Sequence, residues 1–423
     1  MKIAFAVSFF DFRNDVRRVI AEVAKQHEVV VLGRSEQAES IQGHLPEGVE
    51  FRLISERQGT LGNKIWERLY LLFRRIPRSR ANFFLMELFK ASYQPDTQKR
   101  TKAMRLLQWM QRLPKVLSYD TYLNQLRYQG KTQLGDIDRF ICFTAIADDY
   151  LLARLIREQK PVLVYVYSWD HPCKHTCFSK HVRYACWSEP IREDIVSLQN
   201  IPADQVAVTG ASQFSYIEAY RQTKVPPPYP FRYIYFGCAI GIPALVPDEI
   251  RIIKTLAENL QQVQPNWKLL VRPYPVLTNW TFYEALRQLP NVIFDEDFRT
   301  GDLSVQEANI LKKYATIEQA EAFFHLGTTM GLEACFTQTP SFLLDFGYST
   351  QEGLSLYNFI HQFQNERHLV NLAPQSAIRS EEVLRPLLTD LTNPTFRELN
   401  ERVQAEYPLK SFAEFAHALI LHA

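Results

Sequence analysis

A chain of 423 residues, 46% hydrophobic and 22% charged, is too long for one ordinary core and has a globular composition, so two domains of about 200 residues each are expected. No run of about 18 consecutive apolar residues occurs, and the first residues lead into a strand pattern without a signal-peptide layout, which argues against a membrane-spanning or secreted chain. The net charge is +2, and six cysteines with no disulfide-scaffold rhythm fit the reducing cytoplasm.

The first half alternates strands and helices. Residues 3–8 read as a strand, 15–26 as a helix, and 27–32 and 49–54 as two further strands. A helical insertion comes next, over about 60–130. Between 64 and 115, 13 Lys/Arg stand against 3 Asp/Glu, a local +10 that leaves −8 for the rest of a +2 chain. The same stretch holds Trp66, Tyr70, Phe73, Phe83, Phe84, Phe89 and Trp109. Basic helices studded with aromatics suit an anionic membrane surface. The alternative is an amphipathic hairpin that packs its aromatics inward and solvates its arginines. No nucleic-acid-binding motif accompanies the charge, so no nucleic acid partner is expected.

Beyond the insertion, 137–143, 162–167, 182–187 and 205–209 read as strands, with helices at 147–158 and 190–198. Such alternation predicts a parallel sheet covered on both faces. The proline-dense run Val225-Pro-Pro-Pro-Tyr-Pro230 forbids helix and central strand alike. It marks 225–231 as a linker between a first domain, 1–224, and a second, 232–423. In the second, 233–236, 268–272, 292–294, 322–326 and 341–344 read as strands. Residues 248–264, 282–289 and 330–336 read as helices, and 397–423 closes the domain with helical periodicity. The fold class is α/β: two doubly wound Rossmann-like domains, expected to face one another across a cleft at the carboxyl ends of their sheets, where such folds bind ligands.

The most informative stretch is 322–340, AFFHLGTTMGLEACFTQTP. Here an apolar strand turns through Gly327-Thr328-Thr329 into a helix. Such a turn offers backbone N–H groups and the positive end of the helix dipole to an anion, although the same residues also serve as ordinary caps. Glu333, one turn into the helix, is placed to accept from a sugar hydroxyl beside a bound phosphate. Other spaced signals accompany it: Ser8-Phe-Phe-Asp11-Phe-Arg13 at the end of the first strand, Tyr235-Phe-Gly237-Cys238, and Leu270-Val-Arg272-Pro-Tyr-Pro275.

These motifs resemble the GT-B glycosyltransferases, and among them the bacterial enzymes of surface-polysaccharide and teichoic-acid assembly, which carry a similar Arg-Pro-His-Pro turn and a Ser-Thr…Leu-Glu-Ala strand–helix. The resemblance spans nearly the whole chain in layout but rests on few motif residues. Tyr274 stands where the histidine is usual, and Thr328-Thr329 keeps the hydroxyl chemistry of Ser-Thr.

The resemblance implies that the second domain holds a nucleotide-activated sugar. The first would hold the acceptor, a glycan or lipid-linked chain at the inner face of the cytoplasmic membrane. The donor site would then comprise Gly237, Cys238, Arg272, Thr328, Thr329 and Glu333. Arg272 offers a planar fork to the diphosphate, and the threonines add hydroxyl and amide donors. Together these can stabilise the departing nucleotide with no metal and no cofactor beyond the donor itself.

Transfer to an alcohol also calls for a base. Asp11 is the first candidate and the Asp170-His171 pair the competing one, while Asp15 reads as a helix cap. The run from His171 to His181 alternates His and Cys but lacks the paired Cys-x-x-Cys spacing usual for zinc, which argues against a metal site. A loop using His171 or His175 for phosphate or acceptor contacts is the better reading. Three alternatives to glycosyl transfer stay open. Two share the fold, a nucleotide-sugar epimerase and a cytidine-nucleotide-dependent phosphoglycerol transferase. The third is an inactive sugar-nucleotide-binding scaffold.

Overall fold

The computed structural model describes residues 1–8, 12–75, 96–143, 148–174, 178–223, 225–274, 280–296, 306–348, 355–363, 367–391 and 393–423. The chain forms two compact units. In the first, the elements in order are β1 (Lys2–Ala6), α1 (Asn14–Ala24), β2 (Glu28–Gly33), β3 (Glu50–Leu53), α2 (Leu61–Phe73), α4 (Tyr119–Gln125), β4 (Arg139–Phe143), α5 (Asp149–Arg157), β5 (Val162–Tyr165), β6 (Arg183–Cys186), α6 (Glu189–Gln199) and β7 (Val206–Val208); α3 (Thr97–Gln111) comes between α2 and α4 in the chain, but most of it groups with the second unit. Seven parallel strands pair in the order β3-β2-β1-β4-β5-β6-β7. The run VLVY of β5 is buried at every position, as a strand covered on both faces must be. Helix α1 buries Val16, Val19, Ile20 and Val23, one stripe at i, i+3, i+4 and i+7.

The second unit contains β8 (Tyr233–Gly237), α7 (Val246–Val263), β9 (Lys268–Arg272), β10 (Val292–Phe294), α8 (Glu307–Gln319), β11 (Phe323–His325), α9 (Thr329–Phe336), β12 (Ser341–Leu344), β13 (Ala377–Ile378) and α10 (Glu398–Glu406). Its six strands are parallel in the order β10-β9-β8-β11-β12-β13. Ile234, Phe236, Leu269, Val271, Phe324 and Phe342 fill its core against Ile252, Ile253, Leu256 and Leu260 of α7. Each such side chain contributes about 1.5–3 kcal/mol on full burial. In both sheets the strand order reverses beside the first strand, between β1 and β4 and between β8 and β11. A doubly wound sheet opens its ligand crevice at that reversal.

The unit boundaries differ from the expected ones. The chain joins the second unit at Ile217, ahead of the proline-rich run, because the helix Ser215–Arg221 is anchored there. The Tyr220 hydroxyl donates to Glu318, and Arg221 Nη2 donates to the Phe336 carbonyl at 3.1 Å, at the C-terminal end of α9. The expected single closing helical segment breaks at Tyr407 and Pro408, since proline cannot donate to a continuing helix. The final helix, α11 (Phe412–His422), begins with a capping box between Ser411 and Glu414. It belongs to the first unit and not the second. Arg139 Nη1 donates to the carbonyls of Ile420 and Ala423 at 3.0 and 2.7 Å, and Phe415 packs edge-on against Tyr165.

The aromatics of the basic insertion are not all packed inward. Tyr70 is buried and stacks on Tyr122 with ring centroids 4.4 Å apart, whereas Trp109 is 53% exposed. Phe83, Phe84 and Phe89 lie outside the described residues. Helices α2 and α4 pack within the first unit, while most of α3 groups with the second, so the insertion does not belong wholly to the first. Among the described residues no helix is long and apolar enough to cross a membrane.

Candidate functional site

The second sheet's crevice is built from three strand ends held level. Gly237, last in β8, pairs in register with Arg272, last in β9, and with His325, last in β11. Steps of about 5 Å between strands set these three ends in one short row. Gly237 has a steric reason: a Cβ there would lie 2.6 Å from the ring of Phe323. The Cys238 N–H donates to the Arg272 carbonyl at 3.0 Å. Burial pushes its thiol pKa well up, and the five described cysteines are all buried thiols outside any disulfide.

Glu249, in the first turn of α7, folds the chain after Cys238 into place. It is fully buried, and its Oε1 accepts from the backbone N–H groups of Ala239 and Ile240 at 2.8 and 3.3 Å. Its other oxygen accepts from the Tyr283 hydroxyl. Burial outweighs these bonds and raises its carboxyl to about 7.

Arg272 is braced from behind. Its Nη1 lies 3.8 Å from Oδ2 of Asp295, the buried residue that comes directly after β10, and the Tyr235 hydroxyl donates to that same oxygen. Across the row, Gly327 sits at φ 102°, a conformation that favours glycine, and donates its N–H to His325 Nδ1 at 3.1 Å. The network therefore assigns the His325 proton to Nε2, and complete burial lowers the ring to about 3. Thr328 is the N-cap of α9, its hydroxyl accepting from the Met330 N–H at 3.4 Å, and Thr329 opens the helix. At the end of β12, Asp345 Oδ2 lies 2.8 Å from His361 Nε2, a buried pair with no sequence signal.

Glu333 is buried in α9 and engaged with protein groups. Lys313 Nζ reaches both of its oxygens at 2.8 Å, and the Tyr314 hydroxyl donates to one of them at 2.9 Å. The ribose contact expected of Glu333 has to share the carboxylate with this lysine.

In the first unit, Asp11 lies outside the described residues, as do His175 and Cys177. Asp170 is buried and accepts from Ser168 Oγ at 2.6 Å, while His171 opens the short helix His171–Lys174. Asp15 does not cap its helix. The N-cap is Arg13, and Asp15 is buried, accepting from the Tyr167 hydroxyl at 3.0 Å and Ser212 Oγ at 2.6 Å. Burial raises its carboxyl pKa. Among the described residues no three of His, Cys, Asp or Glu converge to hold a metal.

No family model matches the sequence, and no curated protein matches it either. Solved structures share its architecture. UDP-GlcNAc 2-epimerase from Neisseria meningitidis, bound to UDP-GlcNAc, matches over 100% of this chain and 98% of its own, with 11% identity and a TM-score of 0.50. MnaA of S. aureus, in a co-structure with UDP, matches over 98% and 94%, with 8% identity and a TM-score of 0.51. The glycosyltransferase of kitacinnamycin matches over 99% and 97%, with 13% identity and a TM-score of 0.50. Identities this low speak for fold alone. The chain has the GT-B fold of two Rossmann-like α/β units.

Proposed function

We propose that the protein is a glycosyltransferase that takes a sugar from a nucleotide-activated donor and passes it to a glycan or lipid-linked acceptor in surface-polysaccharide synthesis. The observation that carries this reading is the level row Arg272, Gly237 and His325, closed by the Gly327 turn and the start of α9. In it the donor diphosphate lies against the N-terminus of α9, with Thr328 and Thr329 as donors and the Arg272 fork alongside. Asp295 holds that guanidinium in place before the nucleotide arrives, so charge developing on the leaving group meets a fixed cation. Glu333 offers the ribose the lone pairs that Lys313 and Tyr314 leave over. The acceptor binds the first unit. Asp11 takes its proton, with Asp170 and His171 as the competing pair.

The test is a nucleotide panel and then turnover. A ligand at 100 times its Kd stabilises the native state by about 2.7 kcal/mol, so nucleoside diphosphates and CMP can be ranked by their shifts in melting temperature. Arg272→Ala should abolish the shift of the best ligand, and a full shift in that variant would remove the donor-site assignment. Asp11→Asn should lower transfer about 10²–10⁴-fold with donor binding intact. Activity that survives there but vanishes in Asp170→Asn or His171→Ala would move the base to that pair.

A second reading, nucleotide-sugar epimerisation, is supported by the fold shared with two proteins described with UDP or UDP-GlcNAc. Solvent deuterium entering the sugar of recovered UDP-GlcNAc, with no acceptor present, would favour it over transfer.

A further inference from the structure

The first unit holds a cavity of about 400 Å³ lined by none of the donor-site or candidate base residues. That volume lies within the range of small-molecule pockets, about 300–1,000 Å³. It sits where β2 and β3 end, with Arg34 and Ile54 at its rim, and is walled by α2, α4 and the first turn of α5. The polar wall interleaves acceptors and donors. Asp149 accepts from the Tyr119 hydroxyl at 2.7 Å and the Tyr122 hydroxyl at 3.2 Å. Asp148 caps α5 through the N–H groups of Tyr150 and Leu151, and its other oxygen takes Arg34 Nε at 3.0 Å. The Tyr150 hydroxyl donates to Glu67 at 2.5 Å.

The chemistry of this wall narrows its ligand. Four carboxylates outnumber two guanidiniums in the lining, which repels phosphate. The carboxylates do not converge as a metal set. A carboxylate has about four acceptor positions, and a phenol oxygen that donates can still accept. Asp149 and Tyr122, both in the lining, therefore keep hydrogen-bonding capacity, and burial, which raises the Asp149 carboxyl pKa, makes further donors to it favourable. Groups that donate and accept at once, on an uncharged body, match such a wall, and sugar hydroxyls are of that kind.

We propose that this cavity is a saccharide site in which Asp149 accepts hydroxyl protons from a bound sugar residue. That this sugar is the transfer acceptor rests on the glycosyltransferase reading; the binding itself does not. The full chain is titrated, without nucleotide, with the methyl glycosides of glucose, galactose, mannose and N-acetylglucosamine, and binding is read by saturation-transfer NMR and calorimetry. Ethanolamine and inorganic phosphate serve as the cationic and anionic probes. The expected result is saturable binding of at least one glycoside, weakened about tenfold in Asp149→Asn and again in Tyr122→Phe, with UDP binding unchanged. Tyr122→Phe keeps the ring and gives a second reading should Asp149→Asn fail to fold. No glycoside binding at tens of millimolar, binding insensitive to both substitutions, or binding of ethanolamine or phosphate alone would overturn the site. A glycoside that binds while UDP does not leaves this site standing and removes the donor reading alone.

Discussion

Lys313 and Glu333 form a closed pair in the second unit: the ammonium lies 2.8 Å from each carboxylate oxygen, and the two side chains are only 12% and 4% exposed. Removing one member of such a pair leaves a buried, uncompensated charge, at a cost of about 3–5 kcal/mol. Glu333→Ala should therefore lose that much stability in urea denaturation, and the double variant Glu333→Met with Lys313→Met should recover most of it. UDP titration separates the two roles. If the ribose uses Glu333, UDP binding stays weak in the double variant even though stability has returned. Full UDP affinity in a stable double variant would make the pair a brace for α9 and nothing more.

Gly331 gives a prediction whose sign runs against helix propensity. In an open helix, Gly→Ala gains about 1 kcal/mol. Here a Cβ would stand 2.5 Å from Nε2 of the buried His325 ring, and overpacking of that kind costs about 1–3 kcal/mol. Gly331→Ala should be destabilising on balance and should weaken nucleotide binding by shifting the start of α9. In a His325→Ala background the same change should become neutral or favourable. A double-mutant cycle with no coupling would mean the helix accommodates the methyl group unaided.

Glu249 sets a pH dependence. Its carboxyl titrates near 4.5 when unfolded and near 7 in the native state. Between these values the native chain keeps a proton that the unfolded chain has released. The stabilisation is thus complete below pH 4.5 and is lost as pH rises through 7, by about 3 kcal/mol in all. His325 works in the opposite sense, since its lowered pKa gives stability present above pH 6.5 and lost on acidification toward 3. Comparing wild type with Glu249→Gln cancels the histidine. The variant should match wild type near pH 4 and gain on it steadily up to pH 8, and parallel curves would refute the raised carboxyl.

Much of this architecture is legible in the sequence because parallel strands buried on both faces read as short apolar runs. The segments 268–272, 292–294 and 341–344 each have their expected limits. Helix α8 gives no such signal. Its buried positions, Tyr314, Ala315, Thr316 and Ile317, are consecutive and form no 3.6-residue stripe, so Lys313 has no visible address. Glu333 is legible as a residue one turn into a helix, whereas its partner is not. Glu249 reads in sequence as an ordinary acid in a helix's first turn, and only the folding back of Ala239 and Ile240 makes it a buried clamp. Asp295 likewise gains meaning only from the register that sets β10 beside β9. Strand β13, two residues long, carries no period at all.

Helix α2 carries the last prediction. It turns Tyr70 and Asn63 inward and sends Leu61, Lys64, Ile65, Arg68 and Leu71 outward, with Leu61 74% exposed and Ile65 and Leu71 near half. An exposed stripe that mixes leucines with cations suits an anionic lipid surface, where the apolar side chains enter the headgroup boundary and each cation contributes about 1 kcal/mol. Vesicles containing phosphatidylserine should bind the protein, and added salt should weaken that binding because exposed charges are screened within about 8 Å at physiological ionic strength. Lys64→Gln with Arg68→Gln should lower the partition coefficient about 30-fold and flatten the salt dependence, in line with about 2 kcal/mol lost. Leu61→Ser with Ile65→Ser should weaken binding at every salt concentration and leave the slope unchanged, since it removes buried area and not charge. Equal partitioning onto neutral and anionic vesicles would exclude an electrostatic role for this face. Binding that survives both double variants would place any lipid contact elsewhere in the chain.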